Sequence, residues 1–190
     1  LKPERALPIV GGQLGGSGTQ GIVYKEDGLP ERIQGNLFVC DWGLQTVFRI
    51  EVVPSGGTFR LTRREPFVTA GDVADFRPFS IAASGDGKSL YLVDWGVGNW
   101  LLPDAKTGRL FRLTYVGAEA PTPTAVPEAI DLDALDHPSH AVRLRAQRVL
   151  AQRGDEVVEG LATRLAKENS STQGRVHALW TLDAIGSPEA

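Results

Sequence analysis

The sequence predicts a β-then-α chain: about two C-terminal blades of a β-propeller over residues 1–117, a proline-rich linker over residues 118–128 and a helical solenoid over residues 129–190. Three observations predict it. Composition changes near residue 117, with 18 of the 22 glycines before that point and all three histidines, His137, His140 and His177, after it. Between the halves, Pro121, Pro123 and Pro127 favour an extended, polyproline-like connector. Each half also repeats itself, and strand repeats of about 40–50 residues are typical of propeller blades.

In the first half, Leu37-Phe38-Val39-Cys40-Asp41-Trp42-Gly43 matches Leu90-Tyr91-Leu92-Val93-Asp94-Trp95-Gly96 at an offset of 53. Each copy leads into a Phe-Arg-aliphatic strand, Phe48-Arg49-Ile50 or Phe111-Arg112-Leu113. Each follows another short strand, about residues 21–25 or 79–83. Phe59-Arg60-Leu61-Thr62 alternates as a further strand, with Gly56-Gly57 and Gly85-Asp86-Gly87 as turns. No fourth strand is visible for the second copy after Tyr115. The run from Gly11 to Gly18 lacks the strand-then-helix context of a phosphate cradle and reads as a flexible connector.

The second half predicts three helices. Ser139 caps one to about Arg153, with Gly154 as its stop; a second covers about residues 156–167; a third covers about residues 173–185, ended by Gly186 and Pro188. Arg143-Leu144-Arg145-Ala146 with Leu150 matches Arg175-Val176-His177-Ala178 with Leu182 at an offset of 32, as stacked helical repeats would. Arg143, Arg145, Arg148 and Arg153, set among Asp131, Asp133, Asp136 and Asp155, read as a mixed solvated surface.

Composition narrows the partners. A net charge of −3 gives no general attraction to nucleic acid. No apolar run approaches the roughly 18–20 residues of a transmembrane helix, so no membrane segment is expected. The single cysteine, Cys40, leaves no internal disulfide and reads as a small buried hydrophobe. His137 and His140, separated by three positions with Pro138 between them, lack a third ligand for zinc. The absence of methionine reads as an excised piece of a longer protein.

Gly18-Thr19-Gln20-Gly21-Ile22-Val23-Tyr24, Leu29-Pro30 and Gly35-Asn36-Leu37-Phe38-Val39 together resemble the glucose/sorbosone dehydrogenase family of quinoprotein propellers. Arg77-Pro78-Phe79-Ser80-Ile81, Gly85-Asp86-Gly87, Leu90-Tyr91-Leu92-Val93-Asp94 and Phe111-Arg112-Leu113-Thr114-Tyr115 look like that family's closing blade. His137-Pro138-Ser139 with Val142-Arg143-Leu144-Arg145-Ala146 resembles HEAT-like repeats. The order of modules is similar to planctomycete-type membrane-bound-dehydrogenase-like proteins, in which a c-type haem domain follows. The resemblance implies a sugar or alcohol dehydrogenase using pyrroloquinoline quinone (PQQ) and calcium, a periplasmic or extracytoplasmic location, and electron transfer to that haem domain. The sequence departs from the enzyme pattern at its base: the family's catalytic histidine lies in the propeller, and residues 1–117 contain no histidine. No haem-attachment motif occurs in the chain either.

Propeller geometry brings Asp94, Trp95 and Asn99 towards Asp75-Phe76-Arg77-Pro78. Arg77, Asp94 and Trp95 are therefore the candidate cofactor-binding residues, with the Arg77 guanidinium suited to a quinone carboxylate. The competing reading is structural: Asp and Gly shape turns, Trp packs, and Arg77 pairs with Asp75 or Asp72. At the level of function the competing reading is a non-catalytic propeller-solenoid scaffold that binds protein, through the helical repeats, or glycan.

Overall fold

The computed structural model describes residues 17–97, 107–118, 120–167 and 170–186. The chain divides into two compact units, one of residues Leu1–Tyr24 and Leu29–Ala120, the other of Lys25–Gly28 and Pro121–Ala190. The first is β and the second is helical.

Among the described residues the β unit holds two antiparallel sheets. The first runs in the order β1 (Gly18–Val23), β2 (Leu37–Asp41), β3 (Thr46–Ser55) and β4 (Thr58–Thr69). Its last two strands form a long hairpin turned by Gly56-Gly57, where Gly56 takes a φ of 62° that suits glycine. The second sheet runs β5 (Pro78–Ala83), β6 (Ser89–Asp94) and β7 (Arg109–Thr114). β4 is longer than the sequence indicates. The strand read at Phe59–Thr62 runs on through Arg63-Arg64-Glu65-Pro66 to Thr69, two register shifts against β3 absorbing the irregularity.

The sequence repeat is also a repeat of register. Phe48 pairs with Val39, and Phe111 pairs with Leu92, the same place in the second copy. Both first strands carry a bulge near their start, and in both sheets the tryptophan N–H donates to the carbonyl just before that strand, Trp42 to Ser17 (2.9 Å) and Trp95 to Arg77 (2.8 Å). Yet the two sheets bury opposite faces. Phe38, Cys40 and Val47 are buried in the first sheet, whereas their counterparts Tyr91, Val93 and Leu110 are exposed. Leu90 and Leu92, on the other face of the second sheet, join Phe38 and Cys40 in one core with Tyr24, Phe76 and Ile81. The sheets thus stack head to tail. Burial pushes the Cys40 thiol up to about 12.

Residues 120–131 have no regular secondary structure. The helical unit then contains α1 (His140–Ala151), α2 (Val158–Ala166) and α3 (Thr172–Ile185). Ser139 and Ser171 are side-chain N-caps of α1 and α3, and Gly186 closes α3 in the left-handed conformation. Gly154 starts a 3₁₀ turn ahead of α2. Ala146, Leu150, Leu161, Ala178 and Leu182 form the core. Pro188 lies outside the described residues.

Residues 25–28 complete this unit. The Glu26 carboxylate accepts the Ser139 hydroxyl and the Ala141 N–H, so the start of α1 receives an anion from far away in the sequence. The Asp27 carboxylate accepts the Thr124 N–H (2.8 Å). His137 accepts the Ser139 N–H at Nδ1 (3.0 Å) and meets the Ala125 carbonyl with Nε2 (3.2 Å), which places its proton on Nε2. Arg143, expected on a solvated surface, is instead only 5% exposed, with its guanidinium donating to the His137 and Pro138 carbonyls. The cap demands it: those carbonyls face the helix start, and the Arg143 side chain turns back along α1 to reach them.

His177 is buried between the His140 and Trp180 rings and bonds Gln147 through Nδ1 (3.0 Å). Burial first, then the charges of Arg143, His140 and Lys25, lower its pKa to about 4. The unfolded chain therefore takes up a proton that the folded unit refuses. The stability from neutral His177 is complete above about pH 6.5 and is lost as pH falls through about 4. The expected cost is about 3 kcal/mol. Urea unfolding followed by helical circular dichroism should show this loss in the wild type, with a shallower acid dependence in His177→Gln.

Candidate functional site

Asp94 ends β6 with a carboxylate that is 1% exposed and fully engaged. Its Oδ1 accepts the Arg77 N–H (2.6 Å) and the Gly96 N–H (3.0 Å), and its Oδ2 accepts Arg109 Nε (2.6 Å). Arg109 Nη2 continues to the Ala74 carbonyl (2.9 Å) and the Asp75 carbonyl (3.3 Å). One carboxylate thus joins the entry to β5, the turn after β6 and the start of β7. Gly96 is required there: its φ is 78°, and a Cβ would lie 2.1 Å from the Thr107 carbonyl oxygen. In the first sheet Asp41 occupies the matching place, and its Oδ1 accepts the Leu44 N–H (2.9 Å).

Arg77 touches Asp94 through its backbone, while its side chain goes elsewhere. The guanidinium lies 4.6 Å from the centre of the Trp42 ring, and Nη1 donates to the carbonyls of Trp42 (3.0 Å) and Gly43 (3.4 Å). With the Gln45 amide oriented by its hydrogen bonds, its oxygen accepts from Nη1 (3.2 Å) and Nη2 (3.1 Å). Gln45 has a φ of 56° and Asp75 one of 51°, so two non-glycine residues in the left-handed region flank this contact. Among the described residues Arg77 has no ion pair with Asp72, Asp75 or Asp94. Its side chain clamps the first sheet's Asp-Trp-Gly turn to the second sheet.

The structure brings Arg77, Asp94 and Trp95 together in backbone but separates their side chains chemically. Trp95 is 40% exposed and tilts against Phe79, with ring centres 5.6 Å apart. Asn99 lies outside the described residues. As a calcium ligand Asp94 does not fit, because both of its oxygens are committed to protein donors. No cluster of three or more metal-ligating side chains occurs among the described residues. For a quinone carboxylate, Arg77 offers a cation that, among the described residues, is held by neutral oxygens and a ring, with Nε buried and unpartnered. An open cleft of about 460 Å³ lies elsewhere, lined by Arg32, Asn36, Arg49, Glu51 and neighbours. Its Arg49 already holds Asn36, Glu51 and Glu65, and its Arg32 lies over Tyr115.

Two participants escape the sequence reading. Arg109 was signalled only indirectly, because a buried aspartate needs a cationic partner. Gln45 carries no sequence signal, since its role depends on a left-handed backbone.

A family model described as a domain of unknown function, DUF7133, matches residues 13–98, which runs through both Asp-Trp-Gly turns and stops before β7. No curated protein and no solved structure matches the chain. No described helix is long and apolar enough to cross a membrane.

Two outcomes follow for the β unit. Asp94→Ala strands buried donors and leaves Arg109 uncompensated, so it should lower unfolding free energy by about 3 kcal/mol in urea titrations. Arg77→Lys keeps the charge but loses the fork and the flat contact with Trp42. It should cost about 1 kcal/mol, with faster amide exchange confined to residues 42–45.

Proposed function

We propose that the β unit forms two blades of a propeller in a quinoprotein sugar or alcohol dehydrogenase-like protein, followed by HEAT-like helical repeats. The observation that carries the blade reading is the head-to-tail stacking. Residues buried in the first sheet have exposed counterparts in the second, among them Tyr91, Val93 and Leu110. A ring of blades buries each such face against the next one. The motifs around Gly18–Val23 and β5 through β7 support the enzyme family. In this reading the catalytic base and any calcium ligands come from other blades, since residues 1–117 hold no histidine and Asp94 is saturated. Arg77 and Trp95 border the quinone, Arg77 supplying positive charge. Electrons leave to a c-type haem domain, in a periplasmic setting.

A second reading, a propeller-solenoid scaffold binding protein or glycan, is favoured by the structural engagement of both Arg77 and Asp94. One experiment divides the two. The protein encoded by the complete gene is reconstituted with PQQ and calcium, and sugar and alcohol oxidation is followed by dye reduction. The enzyme reading expects quinone-dependent turnover and weaker quinone binding in Arg77→Lys. Absence of quinone binding at saturating calcium overturns it in favour of the scaffold.

A further inference from the structure

We propose that Gln45 holds the place of a ligand carboxylate on Arg77, and that a carboxylate carried by a planar ring displaces the Gln45 amide when it binds. The inference rests on the cofactor reading of Arg77 and adds to it the residue that decides whether the site is open.

The repeat of the two sheets separates what the fold needs from what it does not. The Trp95 N–H donates to the Arg77 carbonyl as the Trp42 N–H donates to the Ser17 carbonyl, so Arg77 and Ser17 are counterparts. The first sheet makes this bond without an arginine. The turn that Arg77 reaches is also fixed by other groups. The Asp41 carboxylate accepts the Leu44 N–H (2.9 Å), and the Thr46 hydroxyl donates to the Leu44 carbonyl (2.9 Å). Neither bond uses the Gln45 side chain. At a φ of 56° the turn itself would be better served by glycine. A glutamine kept there against backbone preference has its use in what its amide touches.

What it touches is the one corner of Arg77 that is poised to change partners. The Arg77 Nε is buried, the guanidinium lies 4.6 Å from the centre of the Trp42 ring, and Nη1 is bonded to two backbone carbonyls. Among the described residues, Nη2 has one acceptor, the Gln45 amide oxygen at 3.1 Å, which also takes Nη1 at 3.2 Å. Those lengths are long for a charged donor, since guanidinium–carboxylate bonds settle at about 2.7–2.9 Å. A single neutral oxygen thus spans two N–H groups that a carboxylate would take with two charged ones. Gln45 is only partly buried, so its amide can swing away by rotation of its own side chain. The exchange replaces a neutral acceptor with an anion on a cation that has no ion pair among the described residues.

The test uses the 190-residue chain, titrated in a calorimeter with isophthalate, a ring dicarboxylate, and separately with PQQ and calcium. Gln45→Gly keeps the left-handed turn and removes the competing amide; Gln45→Glu supplies a permanent carboxylate. Isophthalate should bind Gln45→Gly about tenfold more tightly than the wild type and Gln45→Glu about tenfold more weakly. In the wild type the Gln45 side-chain amide resonances should shift on binding. A merely structural Gln45 predicts the opposite order or none. Equal affinities in the three proteins, weaker binding to a Gln45→Gly variant of unchanged circular dichroism, an unmoved Gln45 amide, or no isophthalate binding at millimolar concentration would each overturn the proposal. Should the glycine turn loosen, the glutamate variant and the wild-type resonances decide. PQQ that fails to bind while isophthalate shows the expected order overturns the cofactor reading alone, and leaves Gln45 guarding a site for another ring carboxylate.

Discussion

The buried carboxylate of Asp94 is the constraint around which the second sheet is arranged. A charge removed from water must be met by donors, and here the chain brings three from separate segments: the Arg77 N–H, the Gly96 N–H and the Arg109 side chain. Meeting that demand fixes where β5 begins, how the chain leaves β6 and where β7 starts. It also sets the direction of Arg77. With its backbone tied to Asp94, the Arg77 side chain extends to the Trp42 turn and carries the constraint into the first sheet.

The division into β and α halves was legible because each half repeats a pattern of its own. Leu37-Phe38-Val39-Cys40 and Leu90-Tyr91-Leu92-Val93 announce strands by their β-prone apolar side chains, and Ser139 and Gly186 mark helix ends by their backbone preferences. The offset of 53 residues between the two Asp-Trp-Gly strands proved to be structural, and the strands that follow them repeat at an offset of 63, down to the contacts of Arg49 with Asn36 and of Arg112 with Ser89. What was not legible depended on contacts distant in sequence. The second half of β4 is a strand because β3 pairs with it, despite Pro66 and two bulges. The burial of Arg143 depends on carbonyls presented by the α1 cap. Periodicity reports which faces are apolar, but it does not report which charge a fold will enclose.

The candidate site shows the same limit. Sequence brought Arg77, Asp94 and Trp95 to one neighbourhood, and the backbone places them there. Their side chains answer different demands, Asp94 to its own sheet and Arg77 to the other, and a turn made by Gln45 in the left-handed region completes the arrangement. Motif spacing locates backbones better than it assigns partners, because partners are chosen by direction and burial.

The Glu26 carboxylate at the head of α1 bears on the order in which the molecule assembles. Its hydroxyl partner lies 113 residues further along the chain. The helical unit is therefore discontinuous in sequence, and residues 25–28 emerge from the ribosome long before the helix they serve. Until then the Glu26 carboxylate waits without its final partners. Closing so long a loop carries an entropic cost that the local Ser139 cap of α1 does not. A cut at the linker would separate two stretches of chain without separating two folding units.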